Sequence, residues 1–283
     1  MKLDEIAYQQ ADGVAEIVLD RPEKLNPISA RAGGTRDQIL HVLSEAERDD
    51  TIGAVLLRGE GRAFSAGGDL TGNAARETEA EHRAFLAHAD ELHQRLRDSR
   101  LPIVAAVHGV CLGGALALVA SCDFVVAAEH ATFGLPEGRI GLIGATPLVP
   151  IVGRQWAKFL ILTGEPITAE RAREIGLVLS VEPDDEFLER ARELARRLAR
   201  LPRQAVALNK WAVDAAADAA GDDAGRRAGL AQDAVTLTAS GLATAPDGRT
   251  FREIIDTEGV DGLKRARAAQ YSGSWLPTGG DTK

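Results

Sequence analysis

Two glycine-rich stretches contain the residue types that could stabilise a developing negative charge. Residues 64–69 read FSAGGD and residues 111–116 read CLGGAL, and an apolar run precedes each stretch. Glycine allows a sharp backbone turn and lets a ligand approach the amides closely. If the amides of Gly68 and Gly114 converge, they form an oxyanion hole for a carbonyl oxygen. Removing one donor of such a pair typically costs about 2.7–4 kcal/mol of transition-state stabilisation.

Glu137 is the candidate general base. It follows Gly134-Leu135-Pro136 and is surrounded by apolar residues in the sequence. Apolar surroundings raise the pKa of a carboxyl group, which suits a base that works near neutral pH. Two other interpretations stay open, a solvated turn residue and a partner of Arg139. For both glycine stretches, the alternative is a tight turn without chemistry.

Motifs for other chemistries are weak or absent. Residues 59–64 lack the third glycine and the following helix of a dinucleotide site, and no GxxxxGK[ST] phosphate loop occurs. Residues 63–67 half-resemble a nucleophile elbow, but alanine replaces its first glycine. The two cysteines lack metal-ligand spacing, and the histidines at 82, 88 and 93 do not align on one helix face. We therefore expect neither a metal site nor a disulfide.

The composition excludes several classes of protein. The chain has 283 residues, of which 45% are hydrophobic, and a net charge of −9. A negative charge of this size argues against a general nucleic-acid binder, although a few local amides and cations can still hold an anionic small ligand. No apolar run reaches transmembrane length. The sequence thus predicts a cytoplasmic enzyme with a small-molecule partner and no nucleic-acid or membrane partner.

Alternating strands and helices must position the candidate residues. Residues 103–127 combine two β-branched apolar runs with a glycine turn and a small-residue helix, which is typical of a parallel α/β unit. Residues 5–19 alternate around Asp12-Gly13 and predict a β-hairpin. Ser29 is a candidate cap for the helix that runs towards Glu47.

The last third of the chain shows only helical patterns. We predict three domains or segments: a catalytic core at 1–202, a helical region at 203–271 that serves oligomerisation, and a loose tail at 272–283. Within the helical region, the pattern breaks near Gly259. The tail is rich in glycine, proline and threonine, which favours a loose conformation.

Taken together, these motifs resemble the enoyl-CoA hydratase/isomerase (crotonase) superfamily over nearly the whole chain. The resemblance implies an α/β fold, a crotonase-like spiral of ββα units with a C-terminal helical region. It also implies a homotrimer or dimer of trimers and an acyl-CoA thioester substrate, with no cofactor because coenzyme A is part of the substrate. The stretches that carry the resemblance are RPEKLNPIS, FSAGGDL, PIVAAVHGVCLGGALAL, SCDFVVAAEHATFGLPEGRIGL, TGEPITAERAREIGLV and EGVDGLKRAR.

The resemblance also implies roles for individual residues. It assigns the two oxyanion donors to Gly68 and Gly114 and matches Glu137 to the second of the two glutamates that hydratases use. The remaining residues implied to line the acyl-CoA site are Leu25, Ala66, Asp69, Leu70 and Thr71.

One departure from the family pattern bears on the reaction. Where hydratases carry G-G-G-x-E, residues 113–117 read GGALA, so Ala117 replaces the first catalytic glutamate. Hydration needs two carboxylates, whereas moving a double bond needs a single base, which favours an enoyl-CoA isomerase that uses Glu137. The alternatives are a hydratase with another acid (Glu79, Glu81 or Asp90) and a catalytically silent acyl-CoA-binding protein. Hydrolysis and decarboxylation of CoA thioesters also remain open.

Overall fold

The chain begins with the predicted hairpin. In this computed structural model, which describes residues 3–69, 78–140, 148–240, 244–269 and 273–276, strands β1 (Ile6–Ala11) and β2 (Val14–Leu19) pair antiparallel. Asp12 and Gly13 form the turn with φ angles of 54° and 78°. Positive φ at both positions is the geometry that favours a two-residue hairpin, and aspartate followed by glycine is a preferred pair for it.

A six-stranded sheet forms the centre of the molecule. Its order is β1-β2-β3-β4-β6-β9, and all pairs after the hairpin are parallel. Alternate residues of the central strands pack on opposite faces, so both faces are buried and the strands are continuously apolar. The strands added to the hairpin are β3 (Ala54–Gly59), β4 (Ile103–Val107), β6 (Phe124–Ala128) and β9 (Ser180–Glu182).

A smaller sheet carries the second glycine stretch. Strand β5 (Val110–Leu112) pairs parallel with β7 (Thr132–Gly134), and β7 pairs antiparallel with β8 (Ile167–Thr168). Helix α3 (Gly114–Ala120) begins directly after β5 and its turn. The predicted order of strand, glycine turn, helix and strand is confirmed, and it belongs to a mixed α/β fold.

Helices cover both sheets, and from Arg203 to Ala268 the described part of the chain is almost entirely helical. Helix α6 packs its alanines 191 and 195 against one face of the central sheet. No helix within the described residues is long and apolar enough to cross a membrane. The remaining helices are α1 (Thr35–Arg48), α2 (Glu79–Arg97), α4 (Leu148–Thr163), α5 (Ala169–Glu174), α6 (Phe187–Ala199), α7 (Arg203–Ala219), α8 (Asp222–Ser240) and α9 (Phe251–Ala268).

The predicted cap of α1 at Ser29 is confirmed only in part. The helix begins at Thr35, and Gly34 occupies the N-cap position without a side-chain bond. The Ser29 hydroxyl accepts a hydrogen bond from the Thr35 amide at 3.1 Å and donates one of 2.6 Å to the buried carboxylate of Glu5, which accepts from the same amide at 2.7 Å. The sequence pattern could not reveal the share of Glu5 in this cap, because Glu5 lies just before the first strand.

The C-terminal helices pack back on the preceding part of the chain. Lys210 of α7 donates to Asp123 at 2.8 Å and to the Leu96 carbonyl at 3.2 Å. Helix α8 lies against α2, and α9 lies against a 3₁₀ segment, Pro136–Ile140. Helix α9 is kinked at Gly259, as the sequence predicts. The boundary at residue 202 itself stays a prediction.

Candidate active site

The first glycine stretch bends at Gly67, whose φ is 98°, and its residues from 65 to 69 alternate between buried and exposed. Ala66 and Gly68 are exposed, whereas Gly67 and Asp69 are buried. The start of the segment forms a parallel bridge with β5 at Ser65. The two exposed residues are those that a ligand can reach.

Backbone hydrogen bonds on the other side orient the Gly68 amide. The Ile28 amide donates to the Gly67 carbonyl at 2.8 Å, and the Asp69 amide donates to the Ile28 carbonyl at 3.0 Å. These two bonds make Ile28 and Gly68 a parallel bridge, in which one residue bonds to the two neighbours of the other. Since Ile28 occupies the groups on either side, the N–H of Gly68 points away from Ile28.

The second glycine stretch brings its own amide next to that of Gly68. Gly113 adopts φ 59° and ψ −126°, and Gly114 then begins α3. A Cβ atom built on Gly114 would lie 3.6 Å from the Gly68 nitrogen, and one built on Gly67 would lie 3.4 Å from the Gly114 nitrogen. The two predicted donors are therefore neighbours. Gly114 is half-buried and Gly68 exposed, so both can meet a ligand.

Glu137 lies directly beside these donors. It belongs to the 3₁₀ segment Pro136–Ile140, which follows β7 in the small sheet. A Cβ atom on Gly113 would lie only 1.8 Å from Glu137 Oε1, so glycine at 113 is needed for this approach. Glu137 Oε2 is buried and has no hydrogen-bond partner within the described part of the chain. This burial contradicts the interpretation of Glu137 as a solvated turn residue.

The electrostatic surroundings of Glu137 suit a general base. Burial raises the pKa of its carboxyl group above the ordinary value. Hydrogen bonds from the amides of Glu137 and Gly114, and the positive charge of Arg267, act in the opposite direction without offsetting the burial. A carboxylate with a raised pKa is a stronger base than a solvated one.

The structure adds one cation that the sequence did not indicate. Arg267 lies in the last turn of α9, 130 residues after Glu137 in the chain, and is half-buried near that carboxylate. Arg139 lies close enough to Arg267 for its charge to lower the pKa of that guanidinium, and Arg139 Nε donates to the Thr163 carbonyl at 2.9 Å. No motif signals Arg267, because its position depends on the packing of α9 against the 3₁₀ segment.

Two of the three acids suggested as replacements for the missing glutamate are engaged elsewhere in the described part of the chain. Ala117 lies in α3 with 8% of its surface exposed. Glu81 accepts a hydrogen bond from the Thr78 amide at 2.9 Å and caps α2. Asp90 is ion-paired with Arg226 of α8. The side chain of Glu79 is outside the described residues.

The other residues implied to line the acyl-CoA site fall into three groups. Leu25 and Ala66 are adjacent, since the Ala66 amide donates to the Leu25 carbonyl at 2.9 Å. The carboxylate of Asp69 is buried and forms an ion pair with Arg21. Leu70 and Thr71 lie outside the described residues. Substrate contacts by these residues stay predictions.

Comparisons with known proteins identify the family of the chain. The profile of the family described as enoyl-CoA hydratase/isomerase matches residues 9–234. Enoyl-CoA hydratase domain-containing protein 3, mitochondrial, of Rattus norvegicus is 35% identical over 206 residues, which cover 71% of this chain and 67% of the relative. The 2,3-dehydroadipyl-CoA hydratase of Escherichia coli is 34% identical over 202 residues, covering 70% and 77%.

Solved structures show the same fold. A crystal structure of an enoyl-CoA hydratase/isomerase from Xanthobacter autotrophicus superposes with a TM-score of 0.88 at 31% sequence identity, and the match covers 96% of this chain and 100% of that one. The predicted crotonase-like α/β fold is therefore confirmed. With a family profile that spans most of its length and relatives above 30% identity, the chain belongs to the enoyl-CoA hydratase/isomerase family.

Proposed function

We propose that the chain is an enoyl-CoA isomerase that uses Glu137 as its single acid–base group. The observation that carries the proposal is the buried Glu137 carboxylate beside the amides of Gly68 and Gly114, together with alanine at 117. The thioester carbonyl oxygen would accept hydrogen bonds from the two amides. No separate cofactor is required, since coenzyme A enters as part of the substrate.

The proposed reaction moves one proton. Glu137 removes a proton from C2 of a 3-enoyl thioester, and the electron pair of the broken C–H bond passes into a dienolate whose oxygen is held by Gly68 and Gly114. The protonated Glu137 then returns the proton to C4, so the double bond shifts from C3–C4 to C2–C3. Proton transfer by a positioned group contributes roughly 10²–10⁴-fold, and each oxyanion donor about 10²–10³-fold.

Hydration of a 2-enoyl-CoA is the second candidate function. Relatives favour it by name: the protein of Clostridium acetobutylicum called short-chain-enoyl-CoA hydratase is 33% identical over 219 residues. Against it, Glu81 and Asp90 are engaged in a helix cap and an ion pair. The isomerase proposal thus rests on the alanine at position 117 and on the bonds that hold Glu81 and Asp90 elsewhere. It does not rest on the names of the relatives.

The experiment is incubation with 3-hexenoyl-CoA, and separately with 2-hexenoyl-CoA, in heavy water, followed by chromatography and mass spectrometry of the thioesters. The isomerase proposal expects conversion of 3-hexenoyl-CoA to the 2-enoyl isomer with no hydroxyacyl-CoA, and deuterium at C4 only to the extent that protonated Glu137 exchanges with solvent before it returns its proton. Addition of water to 2-hexenoyl-CoA without isomerisation of 3-hexenoyl-CoA would refute it in favour of a hydratase. Binding of both thioesters without product from either would refute both functions and indicate a silent acyl-CoA-binding protein.

Two variants sharpen this experiment. Glu137→Gln should lower turnover by at least about 10²-fold, whereas Glu170→Gln, which changes an exposed glutamate paired with Arg173, should leave it unchanged. Ala117→Glu restores the second carboxylate of the hydratase pattern and should add hydration of 2-hexenoyl-CoA. Hydration by the unmodified chain at the same rate would contradict the role given to Ala117.

We also propose that the chain assembles into a homotrimer or dimer of trimers. Helix α7 exposes Leu208, Trp211 and Val213 by 59%, 69% and 71%, and burial between copies would remove these apolar side chains from water. Light scattering should give the mass of a trimer or hexamer of the 30.0 kDa chain. A monomer would refute the assembly. The cytoplasmic location stays a prediction, and the name of the rat relative places that relative in mitochondria.

A further inference from the structure

A nearly buried ion pair lies directly behind the oxyanion donor Gly68. Arg21 Nη1 is 2.7 Å from Oδ2 of Asp69, the residue that follows Gly68, and their side chains are 15% and 8% exposed. Arg21 lies between β2 and a 3₁₀ segment, Pro22–Lys24. The proposed reaction uses neither charge. Burying two opposite charges contributes little net stability, so the pair invites another explanation.

A second carboxylate holds Arg21 in place. Glu5 Oε1 is 3.4 Å from Arg21 Nη1, and Glu5 is 5% exposed. Glu5 Oε2 also accepts hydrogen bonds from the Ser29 hydroxyl at 2.6 Å and the Thr35 amide at 2.7 Å. Burial opposes ionisation of Glu5, but these bonds and the charge of Arg21 outweigh it and keep the pKa of its carboxyl below the ordinary value. Arg21 is thus fixed between two carboxylates.

The backbone next to Arg21 is bonded to the same glycine stretch. The Arg21 amide donates to Asn26 Oδ1 at 2.9 Å. Asn26 is 1% exposed, and its Nδ2 donates to the carbonyls of Ala63 at 2.8 Å and Phe64 at 3.2 Å. Two residues after Asn26, the backbone of Ile28 forms hydrogen bonds with Gly67 and Asp69, the two neighbours of Gly68. The segment from Arg21 to Ile28 therefore holds the glycine stretch from its start to its end.

We propose that Arg21 is a positioning residue for the oxyanion hole: by pairing with Asp69, it fixes the direction in which the Gly68 amide points. The proposal rests on the proposed function, because it assumes that a thioester oxygen accepts from Gly68. Asp69 is joined to Gly68 by one peptide bond, and the Asp69 amide is itself bonded to Ile28. Its carboxylate and its amide are thus both fixed, which leaves the Gly68 peptide little freedom to rotate. Preorganised donors need no reorientation during the reaction, and this is the source of their effect.

The chain offers a matched control pair. Arg58 Nε is 2.6 Å from Glu16 Oε1, with side chains 16% and 10% exposed, which is close to the burial of Arg21 and Asp69. This pair joins β2 and β3 within the central sheet and has no bond to the glycine stretch. Asp69→Asn and Glu16→Gln each remove one buried charge at nearly constant size. A purely structural role predicts similar effects for both variants.

The experiment measures polarisation of the carbonyl itself. Butyryl-CoA labelled with ¹³C at the thioester carbon serves as an unreactive probe, and difference infrared spectroscopy reads its C=O stretch in the bound state. Donors in an oxyanion hole move this band to lower frequency. For Asp69→Asn we expect the band to return part of the way to its position in water, because the Gly114 donor remains, and kcat with 3-hexenoyl-CoA to fall about 10–100-fold with KM changed less than threefold.

The control and a conservative variant complete the test. Glu16→Gln should keep the wild-type band and kcat even where its melting temperature falls as far as that of Asp69→Asn. Arg21→Lys, which keeps the charge, should recover part of the shift that Arg21→Met loses. An unchanged band in both Asp69→Asn and Arg21→Met would overturn the proposal.

Failure of the proposed function gives a different result. If the unmodified chain does not bind butyryl-CoA, or binds it without shifting the band, then the proposed oxyanion hole is wrong and the role of Arg21 is refuted with it. A shifted band in the unmodified chain that survives loss of the Arg21–Asp69 pair refutes only the positioning role.

Discussion

Replacing Gly113 by alanine should separate activity from folding. The added Cβ would lie 1.8 Å from Glu137 Oε1, whereas ordinary contact begins at 3.4 Å, so the carboxylate must move by 3.4 − 1.8 = 1.6 Å. Misplacing a reacting group by about 1 Å can reduce the rate roughly 10²-fold. The carboxylate ends a flexible side chain and can move at small energetic cost. We therefore expect kcat to fall at least about 10²-fold.

The loss of stability should be modest by comparison. Gly113 adopts φ 59° and ψ −126°, a conformation that costs a residue with a Cβ about 1–3 kcal/mol. Gly221→Ala is the control, because Gly221 has φ 107° and no atom within 4 Å of its built Cβ. This variant carries the backbone strain without displacing Glu137.

The assay follows the conjugated product by ultraviolet absorbance and the melting temperature by calorimetry. Gly113→Ala should lose activity at temperatures where it is fully folded, and Gly221→Ala should keep it. If Gly113→Ala retains a kcat within threefold of the unmodified chain, then the position of Glu137 beside Gly113 does not determine the reaction.

Three further predictions concern charge and burial. Arg267→Gln removes a cation that lowers the pKa of Glu137, so that pKa should rise. Because only ionised Glu137 accepts a proton, the acid limb of the kcat/KM–pH profile should shift to higher pH. An acid limb at the same pH would contradict the role of Arg267. Lys210→Met leaves the half-buried carboxylate of Asp123 without its cation, although the Ile103 amide still donates to it, and should lower the free energy of unfolding by about 1–3 kcal/mol, as measured by urea denaturation. Burial, with a smaller contribution from Asp123, raises the pKa of Cys122 to about 12, so iodoacetamide should alkylate Cys122 in urea and not in the folded chain.

Features set by local pattern were predictable from the sequence. Asp12-Gly13 predicts a turn because few residue pairs accept positive φ at both positions, and the hairpin is confirmed. The kink of α9 at Gly259 follows from the same property of glycine. The two glycine stretches are recognisable in the sequence by the same property of glycine. Each of them follows a strand, so the fold explains why they lie next to each other.

Features that depend on packing between distant segments were not predictable. Arg267 approaches Glu137 across 130 residues, and Arg21 approaches Asp69 across 48. Charged residues are frequent in this sequence, so no spacing marks these two. Ser29 shows the same limit: the sequence predicts its contact with the start of α1, but not that Glu5, 24 residues earlier, binds both the Ser29 hydroxyl and the Thr35 amide. The preferences of neighbouring residues in the sequence do not reveal a hydrogen-bond partner that is far away in the chain.

In the proposed reaction, the Gly114 amide would serve two acceptors. Its hydrogen bond to Glu137 lowers the pKa of that carboxyl group, although burial outweighs this effect. A thioester oxygen that accepted from the same N–H would withdraw the hydrogen bond from the carboxylate, whose proton affinity would then increase. Binding of the proposed substrate would in this way strengthen the base. A single N–H would couple occupancy of the proposed oxyanion hole to the basicity of Glu137, without any movement of the backbone.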